Sequence, residues 1–360
     1  MFIPWAIPDI SSQEKKEVEK LFDINWLSMG PKVKEFEEKM RIFCGRKYAL
    51  AVNNGTTALD IALKIFGVKP GDKVIVPAMS YIATGSMVLN QSAVPVFADI
   101  DKDTFTVSIE SIKKVYTEDV KVLLTMDYGG NSCDYDKIID FCREKNILLL
   151  VDAAQSLGGF YKGQPLGKFG DISTMSFHSA KVMTTVEGGM IFTDNEEYYE
   201  KIKIMRNQGE DPKEKYSHIM LGFNARMTDI QAAIGLVQFS KIKYYMEKRR
   251  KTAEKYNKAF SENKKITLIK EPESNQMAYF LYPILVENRD SINKKIVDAG
   301  IDTRLCYHVP MYKHKMFKEY NHLFCSNAEY VSKRVINLPI HNCLTDEQID
   351  YITDTIKGIV

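Results

Sequence analysis

Two charged residues near the middle of the chain, Asp152 and Lys181, are of types that can do chemistry together. Asp152 follows the apolar residues 147–151, which predict a buried strand that delivers the carboxylate to its carboxyl end, where open α/β sheets hold their ligands. Lys181 follows a second predicted strand at residues 173–177, on a loop bounded by glycines. A lysine can attack a carbonyl carbon when burial or a nearby cation lowers its pKa from the ordinary value of ~10.4.

Together, the lysine and the acid predict a cofactor. A lysine that forms a Schiff base, with an aspartate that keeps a pyridine nitrogen protonated, is the arrangement that pyridoxal 5′-phosphate (PLP) requires. Each residue alone has a simpler explanation, because an aspartate that ends a strand is usually a cap and a loop lysine is usually a solvated charge. The two in one segment predict a PLP site, with Lys181 as the catalytic residue and Asp152 as the partner of the ring nitrogen.

Four segments resemble the signature of a known family. They are DAAQSLG at residues 152–158, GDISTMSFHSAK at 170–181, EGG at 187–189 and LGFNARMTDIQAAIGLVQ at 221–238. These segments are similar to motifs of the DegT family of PLP-dependent sugar aminotransferases, and the resemblance spans nearly the whole chain. It implies PLP fold type I, the fold of aspartate aminotransferase, and the transfer of an amino group to a sugar.

The elements that must position these residues alternate between strands and helices. Strands are predicted by apolar runs at residues 48–52, 74–76, 94–99, 122–125 and 147–151. This alternation predicts an α/β fold of three layers, in which helices cover both faces of a mostly parallel sheet. We expect this PLP-binding large domain, with an N-terminal arm, at residues 1–240 and a smaller C-terminal α+β domain at 241–360. A long amphipathic helix that begins at Thr228 and Asp229 is expected to lead out of the large domain.

The turn after the first predicted strand is a candidate phosphate site. Gly55, Thr56 and Thr57 follow the strand at residues 48–52. A strand, a glycine turn and a helix in this order direct backbone N–H groups at a phosphate. An ordinary capped turn is the alternative, but the residues match the family's GT motif. No GxGxxG motif follows this strand, so a dinucleotide-binding fold is not indicated.

The resemblance implies roles for four more residues. Tyr81 stands where relatives place an aromatic ring that stacks on the cofactor, and a tyrosine packed in the core is the alternative. Gln155 resembles the residue that contacts the ring hydroxyl, and Ser176 resembles the residue that contacts the phosphate. Asn224 resembles the residue that reaches the phosphate of the partner subunit's cofactor, so a homodimer with shared active sites is expected.

Other segments leave alternatives open. The turn at residues 26–30 resembles a substrate-side segment of the family, and a turn around a buried Trp26 is the alternative. Residues 126–130 (MDYGG) depart from the HLYG of many relatives, so a common histidine is missing beside Asp127, and we expect this departure to affect the choice of substrate. A diphosphate needs basic or backbone donors, and surface lysines and arginines near the entrance are candidates. These basic residues are Lys32, Lys213, Lys215 and Arg226.

Composition and charge narrow the class of protein. The 360 residues are 45% hydrophobic and 27% charged with a formal net charge of +2, which favours a folded globular protein and gives no nucleic-acid footprint. The six cysteines show no CxxC or Cys/His ligand spacing, so neither a metal site nor a disulfide framework is predicted. The N-terminus lacks a signal-peptide pattern and no apolar run reaches membrane-spanning length, so we expect a cytoplasmic protein without membrane contact.

The sequence therefore predicts a PLP-dependent aminotransferase. We expect it to move an amino group from glutamate to a nucleotide-linked keto sugar, giving an amino sugar for glycan or antigen biosynthesis. A free keto sugar or keto-inositol is the alternative acceptor, and a non-catalytic PLP-fold regulator is the alternative function. A related sugar dehydratase, in which a histidine replaces the lysine, is disfavoured because Lys181 is present.

Overall fold

Strands and helices alternate along the chain in the computed structural model, which describes residues 1–360. The helices are α1 (Ser12–Ile24), α2 (Pro31–Cys44), α3 (Gly55–Ile65), α4 (Ile82–Asn90), α5 (Ile109–Val115), α6 (Tyr135–Lys145), α7 (Glu196–Met205), α8 (Asp229–Ser240), α9 (Ile242–Phe260), α10 (Arg289–Asp298), α11 (Ser326–Ser332) and α12 (Asp346–Ile359). The strands are β1 (Tyr48–Val52), β2 (Lys73–Pro77), β3 (Val94–Ala98), β4 (Val120–Met126), β5 (Leu148–Asp152), β6 (Phe160–Tyr161), β7 (Gln164–Pro165), β8 (Ile172–Ser176), β9 (Gly189–Thr193), β10 (Thr267–Leu268), β11 (Asn275–Gln276), β12 (Tyr282–Leu285) and β13 (Val335–Leu338).

The central sheet has seven strands in the order β1-β9-β8-β5-β4-β2-β3. All run in the same direction except β9, which is antiparallel to both β1 and β8. Every residue of β9 is buried, and because successive side chains point to opposite faces, helices must cover the sheet on both sides. The predicted α/β architecture is confirmed. β1, β2, β5 and β8 end at one edge of this sheet, where the predicted site residues follow them.

A smaller antiparallel sheet, in the order β10-β12-β13, lies in the C-terminal part of the chain. It packs with α9, α10 and α12 around a second hydrophobic core that includes Tyr256, Ile284 and Ile352. Ile3 of the N-terminal arm is buried in the same core, and its N–H donates to the carbonyl of Gly300 at 2.8 Å. The expected small α+β domain is therefore present, while a boundary at residue 240 stays a prediction.

Three contacts hold the C-terminal part of the chain against the large domain. The short strand β11 pairs with β6, which in turn pairs with β7. The ring of Phe317 meets the ring of Phe97 in β3 edge-on, with 5.4 Å between centroids, and the N–H of Met311 donates to the carbonyl of Ala78 at 2.7 Å. Side chains of the C-terminal part can therefore be held rigidly at the edge of the central sheet.

The helix that begins after Thr228 is shorter than the sequence predicts. Thr228 and Gln231 form a capping box at its start, in agreement with the predicted N-terminus. However, α8 ends at Ser240 and α9 begins at Ile242, after a break at Lys241. The mostly apolar α8 packs against α1 and α2, and α9 is the amphipathic helix that leads to the small domain. The prediction of one long amphipathic helix is wrong because two helices with different environments follow each other directly.

Three further features concern the cysteines, the metal-ligating side chains and the helices. All six cysteines are unpaired. No group of three His, Cys, Asp or Glu side chains is placed to hold a metal ion. No helix combines the length and the apolar character that a membrane-spanning segment needs.

Candidate active site

The predicted site residues meet at the carboxyl edge of the central sheet, around a cavity of about 690 Å³. Its lining contains eight of the nine predicted residues, namely Gly55, Thr56, Thr57, Tyr81, Asp152, Gln155, Ser176 and Lys181. Other side chains that line it include Trp5, Asn54, His178, Glu187, Phe280, Cys306 and Tyr307. Long-range folding thus brings together residues that are up to about 300 positions apart in the chain.

Lys181 lies on the loop between β8 and β9, with its side chain half-buried against the cavity. Its Nζ lies 4.3 Å from the ring centre of Phe280, a distance at which a cation and an aromatic face attract each other. Burial lowers the pKa of Lys181 to about 8, and the charge of Asp152 opposes this shift. More of this amine is therefore neutral near pH 8 than in an exposed lysine, and the neutral form attacks a carbonyl.

Asp152 ends β5 and is 3% exposed. Its Oδ2 accepts a hydrogen bond from Thr84 Oγ1 at 2.9 Å, and its Oδ1 accepts one from the N–H of Ala154 at 3.1 Å. Burial raises the pKa of Asp152, and these two hydrogen bonds and the charge of Lys181 oppose the shift. The carboxylate is thus fixed in orientation, with capacity left to accept a further hydrogen bond. Thr84, which the sequence analysis missed, lies one helical turn after Tyr81 in α4.

The N-terminus of α3 faces the same cavity. Asn54 is its N-cap, and the Asn54 side chain accepts from the N–H of Thr57 at 2.8 Å. The remaining N–H groups of the first turn have no partner within the helix, and the helix dipole favours an anion there. A Cβ atom on Gly55 would lie 2.9 Å from Cβ of Ser176. Only glycine leaves this space open, so the backbone and the hydroxyls of Thr56 and Ser176 form a cradle of the kind that holds phosphate.

Gln155 is held on both sides of its amide. Its Oε1 accepts from the N–H of Gly129 at 2.7 Å, and its Nε2 donates to the hydroxyl of Tyr307 at 2.8 Å. Tyr307 and Tyr81 then form an aromatic wall, with 6.4 Å between ring centroids. Tyr81 is 55% exposed, so the alternative of a core-packed tyrosine is wrong.

Asp127 lies beneath the cavity rather than in its lining. Tyr135 Oη donates to Asp127 Oδ1 at 2.6 Å and Ser156 Oγ donates to Oδ2 at 2.8 Å. The N–H of Cys133 also donates to Oδ1, at 3.2 Å. Burial raises the pKa of Asp127 to about 7. Asp127 thus joins the loops that follow β4 and β5. Since it does not line the cavity, no direct contact supports the expectation that it affects the choice of substrate.

Asn224 is the one predicted residue that does not line the cavity of its own chain. It is exposed beside a second, polar cavity of about 360 Å³, which it shares with Asn53 and Asp60. Thr56 and Thr57 line both cavities. Asn224 therefore lies on the outer side of the phosphate cradle, and its role toward a partner subunit stays a prediction.

The basic residues predicted as diphosphate donors also lie outside the cavity. Lys32 is paired with glutamates of α1 and α2, and Arg226 donates to Asn207 Oδ1 at 2.7 Å. The basic side chains within the lining are Lys181 and His178. A single chain therefore offers no arginine inside this cavity.

Trp5 is the lining residue that the sequence indicates least. The N-terminal arm pairs with the small domain at Ile3 and Ile301, which brings the Trp5 ring to 6.2 Å from the ring of Phe280. No local pattern around Trp5 predicts this long-range contact. Trp26 is 54% exposed and does not line the cavity, so the alternative of a buried Trp26 is wrong.

These groups match the three parts of PLP. The amine of Lys181 suits its aldehyde, the carboxylate of Asp152 suits its ring nitrogen, and the cradle in front of Gly55 suits its phosphate. The same combination on a mostly parallel sheet, followed by a small α+β domain, defines the PLP enzymes of fold type I.

Comparison with known proteins gives the family. The chain belongs to the DegT/DnrJ/EryC1/StrS aminotransferase family, whose model matches residues 8–357. It is 34% identical over 365 residues to GDP-perosamine synthase of Caulobacter vibrioides, covering 99% of this chain and 97% of that one. It is 31% identical over 345 residues to UDP-4-amino-4,6-dideoxy-N-acetyl-beta-L-altrosamine transaminase of Campylobacter jejuni, covering 93% and 91%. The PLP form of Spr1654 from Streptococcus pneumoniae superposes with a TM-score of 0.94 at 30% identity, covering 100% of this chain and 98% of that one.

The chain is therefore a PLP-dependent sugar aminotransferase, and PLP is its cofactor. This agrees with the expectation drawn from the signature segments. The assignment of roles to individual side chains follows as a proposal.

Proposed function

We propose that the enzyme transfers an amino group from glutamate to a keto sugar linked to a nucleoside diphosphate, giving an amino sugar for glycan or antigen biosynthesis. The observation on which this rests is the chemistry of the cavity lining. Apart from Lys181, His178, Asp152 and Glu187, the lining offers hydroxyl, amide and aromatic groups, the thiol of Cys306 and aliphatic side chains. Such groups suit a ring that bears hydroxyls, and the cations that the carboxylates of glutamate need would come from outside this lining.

The relatives support the nucleotide part of the proposal. The similarity to a GDP-perosamine synthase and to a UDP-linked amino-sugar transaminase extends over more than nine-tenths of this chain. No arginine lines the cavity, so the groups that bind the diphosphate would lie at the entrance of the cavity. A free keto sugar or keto-inositol, which lacks the diphosphate, would not need such an entrance.

The chain's own residues would divide the chemistry between them. When bound, PLP supplies an aldehyde that holds the transferred amino group and an electron-poor ring that spreads negative charge. Asp152 would accept a hydrogen bond from the protonated ring nitrogen, and Gln155 would contact the ring hydroxyl. Ser176 and the first turn of α3 would hold the phosphate. Lys181 Nζ would move a proton between the substrate carbon that bears the amino group and C4′ of the cofactor.

We further propose that the enzyme works as a homodimer with shared active sites. The segment at residues 210–221 lies on the surface, and its large side chains Tyr216 and Leu221 are 78% and 93% exposed. Exposed apolar side chains at this level suit a contact with a second copy. Asn224 follows this segment directly, and Lys213 and Lys215 within it would supply the cations that the cavity of one chain lacks.

A panel of nucleotide-linked keto sugars, tested with glutamate as donor, measures the proposed reaction through the formation of 2-oxoglutarate. We expect turnover with one nucleotide sugar and inhibition by the matching nucleoside diphosphate. The Lys181→Ala variant is the control, and it should form no borohydride-reducible adduct with PLP. If no UDP, TDP, GDP or CDP compound binds and a free keto sugar is aminated, the nucleotide part is wrong and the PLP part remains.

The dimer has its own test. Lys181→Ala and Asn224→Ala chains, each inactive alone, should regain activity when they are mixed, because each mixed dimer holds one site with both residues intact. A protein that is monomeric at working concentration, or a mixture without activity, would contradict the shared site.

A further inference from the structure

Arg249 is exceptional among the buried arginines of this protein. Four arginines are nine-tenths or more buried. Arg46, Arg206 and Arg289 each pair with a carboxylate. Arg249, which is 4% exposed, has no carboxylate partner within 4.0 Å and donates only to amide and carbonyl oxygens. Burying a cation without a counter-ion costs free energy. The groups that accept hydrogen bonds from Arg249 therefore indicate which parts of the structure this guanidinium holds in place.

The acceptors of Arg249 lead to both sides of Lys181. Arg249 Nη1 donates to the carbonyl of Tyr279 at 3.0 Å, and the next residue is Phe280, whose ring centre lies 4.3 Å from Lys181 Nζ. Arg249 Nε donates to Asn342 Oδ1 at 3.1 Å. One guanidinium therefore holds the backbone next to Phe280 and orients a buried asparagine.

Asn342 continues this chain of contacts to the backbone of the lysine loop. Its Nδ2 donates to the carbonyl of Val182 at 3.2 Å, directly after Lys181. Because Oδ1 of Asn342 accepts from Arg249, the amide can present only its N–H groups to Val182. The guanidinium thus selects the amide orientation that the lysine loop requires.

The neighbouring His341 extends the same segment to the N-terminal arm. Its Nε2 lies 3.1 Å from the carbonyl of Pro4, and the residue after Pro4 is Trp5, whose ring meets Phe280. Burial and the charge of Arg249 lower the pKa of His341 to about 4, so the ring is neutral at working pH. A carbonyl can only accept, so Nε2 bears the hydrogen, and the buried Nδ1, which has no partner, is the unprotonated atom.

We propose that Arg249 and Asn342, which belong to the small C-terminal domain, are positioning residues. They hold Lys181 in its correct position relative to the cofactor. The Arg249–Asn342 pair acts through two contacts, on Val182 and on Tyr279, and touches neither cofactor nor substrate. The inference rests on the role of Lys181 in the proposed function. It adds a requirement that the small domain be docked before the lysine is correctly placed.

The Asn342→Asp variant separates positioning from simple stabilisation. The aspartate gives Arg249 the counter-ion that it lacks, so thermal stability should be kept or raised. It has no N–H for the carbonyl of Val182, so the lysine loop should loosen. Displacement of a reacting group by about 1 Å can cost about 100-fold in rate, and we expect kcat to fall by about this factor, with a much smaller change in KM for glutamate.

Two readouts other than activity accompany this variant. Hydrogen exchange in the cofactor-free protein should accelerate in the peptide at residues 177–188. The pH midpoint of the visible absorbance of the PLP-loaded enzyme should shift, because the surroundings of the Lys181 nitrogen change. Asn342→Ala should give the same two changes together with some loss of thermal stability.

The Arg46→Lys variant is the matched control. Arg46 is also buried and donates to three backbone carbonyls, but it does not line the cavity. We expect it to lower thermal stability without changing the absorbance midpoint or the exchange of the lysine loop. Wild-type kcat, midpoint and loop exchange in Asn342→Asp would overturn the positioning role. If instead Lys181→Ala still forms the reducible adduct, the proposed function itself fails.

Discussion

Asp127 and Asp152 are the same residue type at almost the same place in the fold, yet only one of them faces the cavity. Asp127 directly follows β4, and Asp152 is the last residue of the neighbouring parallel strand β5. The two strands pair so that Met126 lies opposite Asp152. Burial raises the pKa of both carboxyls. Asp127 accepts three hydrogen bonds from the protein, whereas Asp152 accepts two and keeps surface on the cavity.

This difference is the reason that Asp152, and not Asp127, is proposed as a functional residue. A carboxylate has about four sites for hydrogen-bond donors, and Asp127 uses most of them to join two loops. Asp152 has sites left over, and they face the space that Lys181 also lines. Both residues are therefore buried and have a raised pKa. Asp152 differs from Asp127 in that it has unused hydrogen-bonding capacity directed toward a cavity.

The largest expected effect is the loss of turnover in the Asp152→Asn variant. The amide lacks the charge that keeps a proton on the ring nitrogen. Each pKa unit is worth ~1.4 kcal/mol, so a fall of several units in the pKa of the ring nitrogen would lower kcat by orders of magnitude. Steady-state kinetics measure this loss. Thermal unfolding and bound cofactor should change little, because asparagine keeps the size of the side chain. Near-normal kcat would remove Asp152 from the mechanism.

The Asp127→Asn variant tests the other member of the pair. The folded-state pKa of Asp127 is about 7, above the ordinary 3.8, so the folded protein binds an extra proton between these values. This contribution to stability is present at low pH and is lost as the pH rises toward 7. Asparagine does not ionise, so the variant does not lose this stability as the pH rises. Between pH 5 and pH 7 its free energy of unfolding, relative to that of the wild type, should therefore rise by about 2 to 3 kcal/mol.

Urea unfolding at a series of pH values measures this gain, with kcat as the companion measurement. We expect kcat to be largely retained, because Asp127 does not line the cavity. Parallel pH profiles of stability in the two proteins, or a loss of turnover as large as that of Asp152→Asn, would contradict the contrast between the two acids.

The ionisation of Lys181 sharpens the comparison further. In the cofactor-free protein, the rate at which an amine-reactive reagent modifies Lys181 should be half-maximal near pH 8. Asp152→Asn should lower this midpoint by about one unit, because the negative charge that raises the lysine pKa is gone. Asp127→Asn should leave it in place. Mass spectrometry of the peptide that contains Lys181 follows the reaction, and equal shifts in both variants would show that the two acids act alike.

The smallest effect is expected from Thr84→Val, which removes one hydrogen bond to Asp152. The net contribution of such a bond is about 1 kcal/mol, so kcat should fall roughly fivefold. Ser80→Ala is the control, because Ser80 bonds to Thr84 and not to the carboxylate. A larger loss in the control than in Thr84→Val would place the important contact elsewhere.

The sequence by itself predicts the parts of the site that depend on local patterns. Asp152 ends an apolar run, Lys181 follows a short strand, and Gly55 opens a helix after β1. In each case a few adjacent residues determine the element, and parallel strands then end at one edge of the sheet for geometric reasons. The resemblance to the DegT family gave the cofactor and the fold, which the comparisons confirm. Helix ends were less predictable, since the break at Lys241 depends on how α8 and α9 pack.

Only the tertiary structure decided which side chains surround these residues. Trp5 reaches the cavity because the N-terminal arm pairs with the small domain, and Arg249 meets Asn342 across 93 residues of sequence. Asp127, which the sequence alone suggested could affect substrate choice, is enclosed by donors from two other segments. Contacts between distant segments leave no periodic or local pattern in the sequence, because they depend on how whole elements pack against each other.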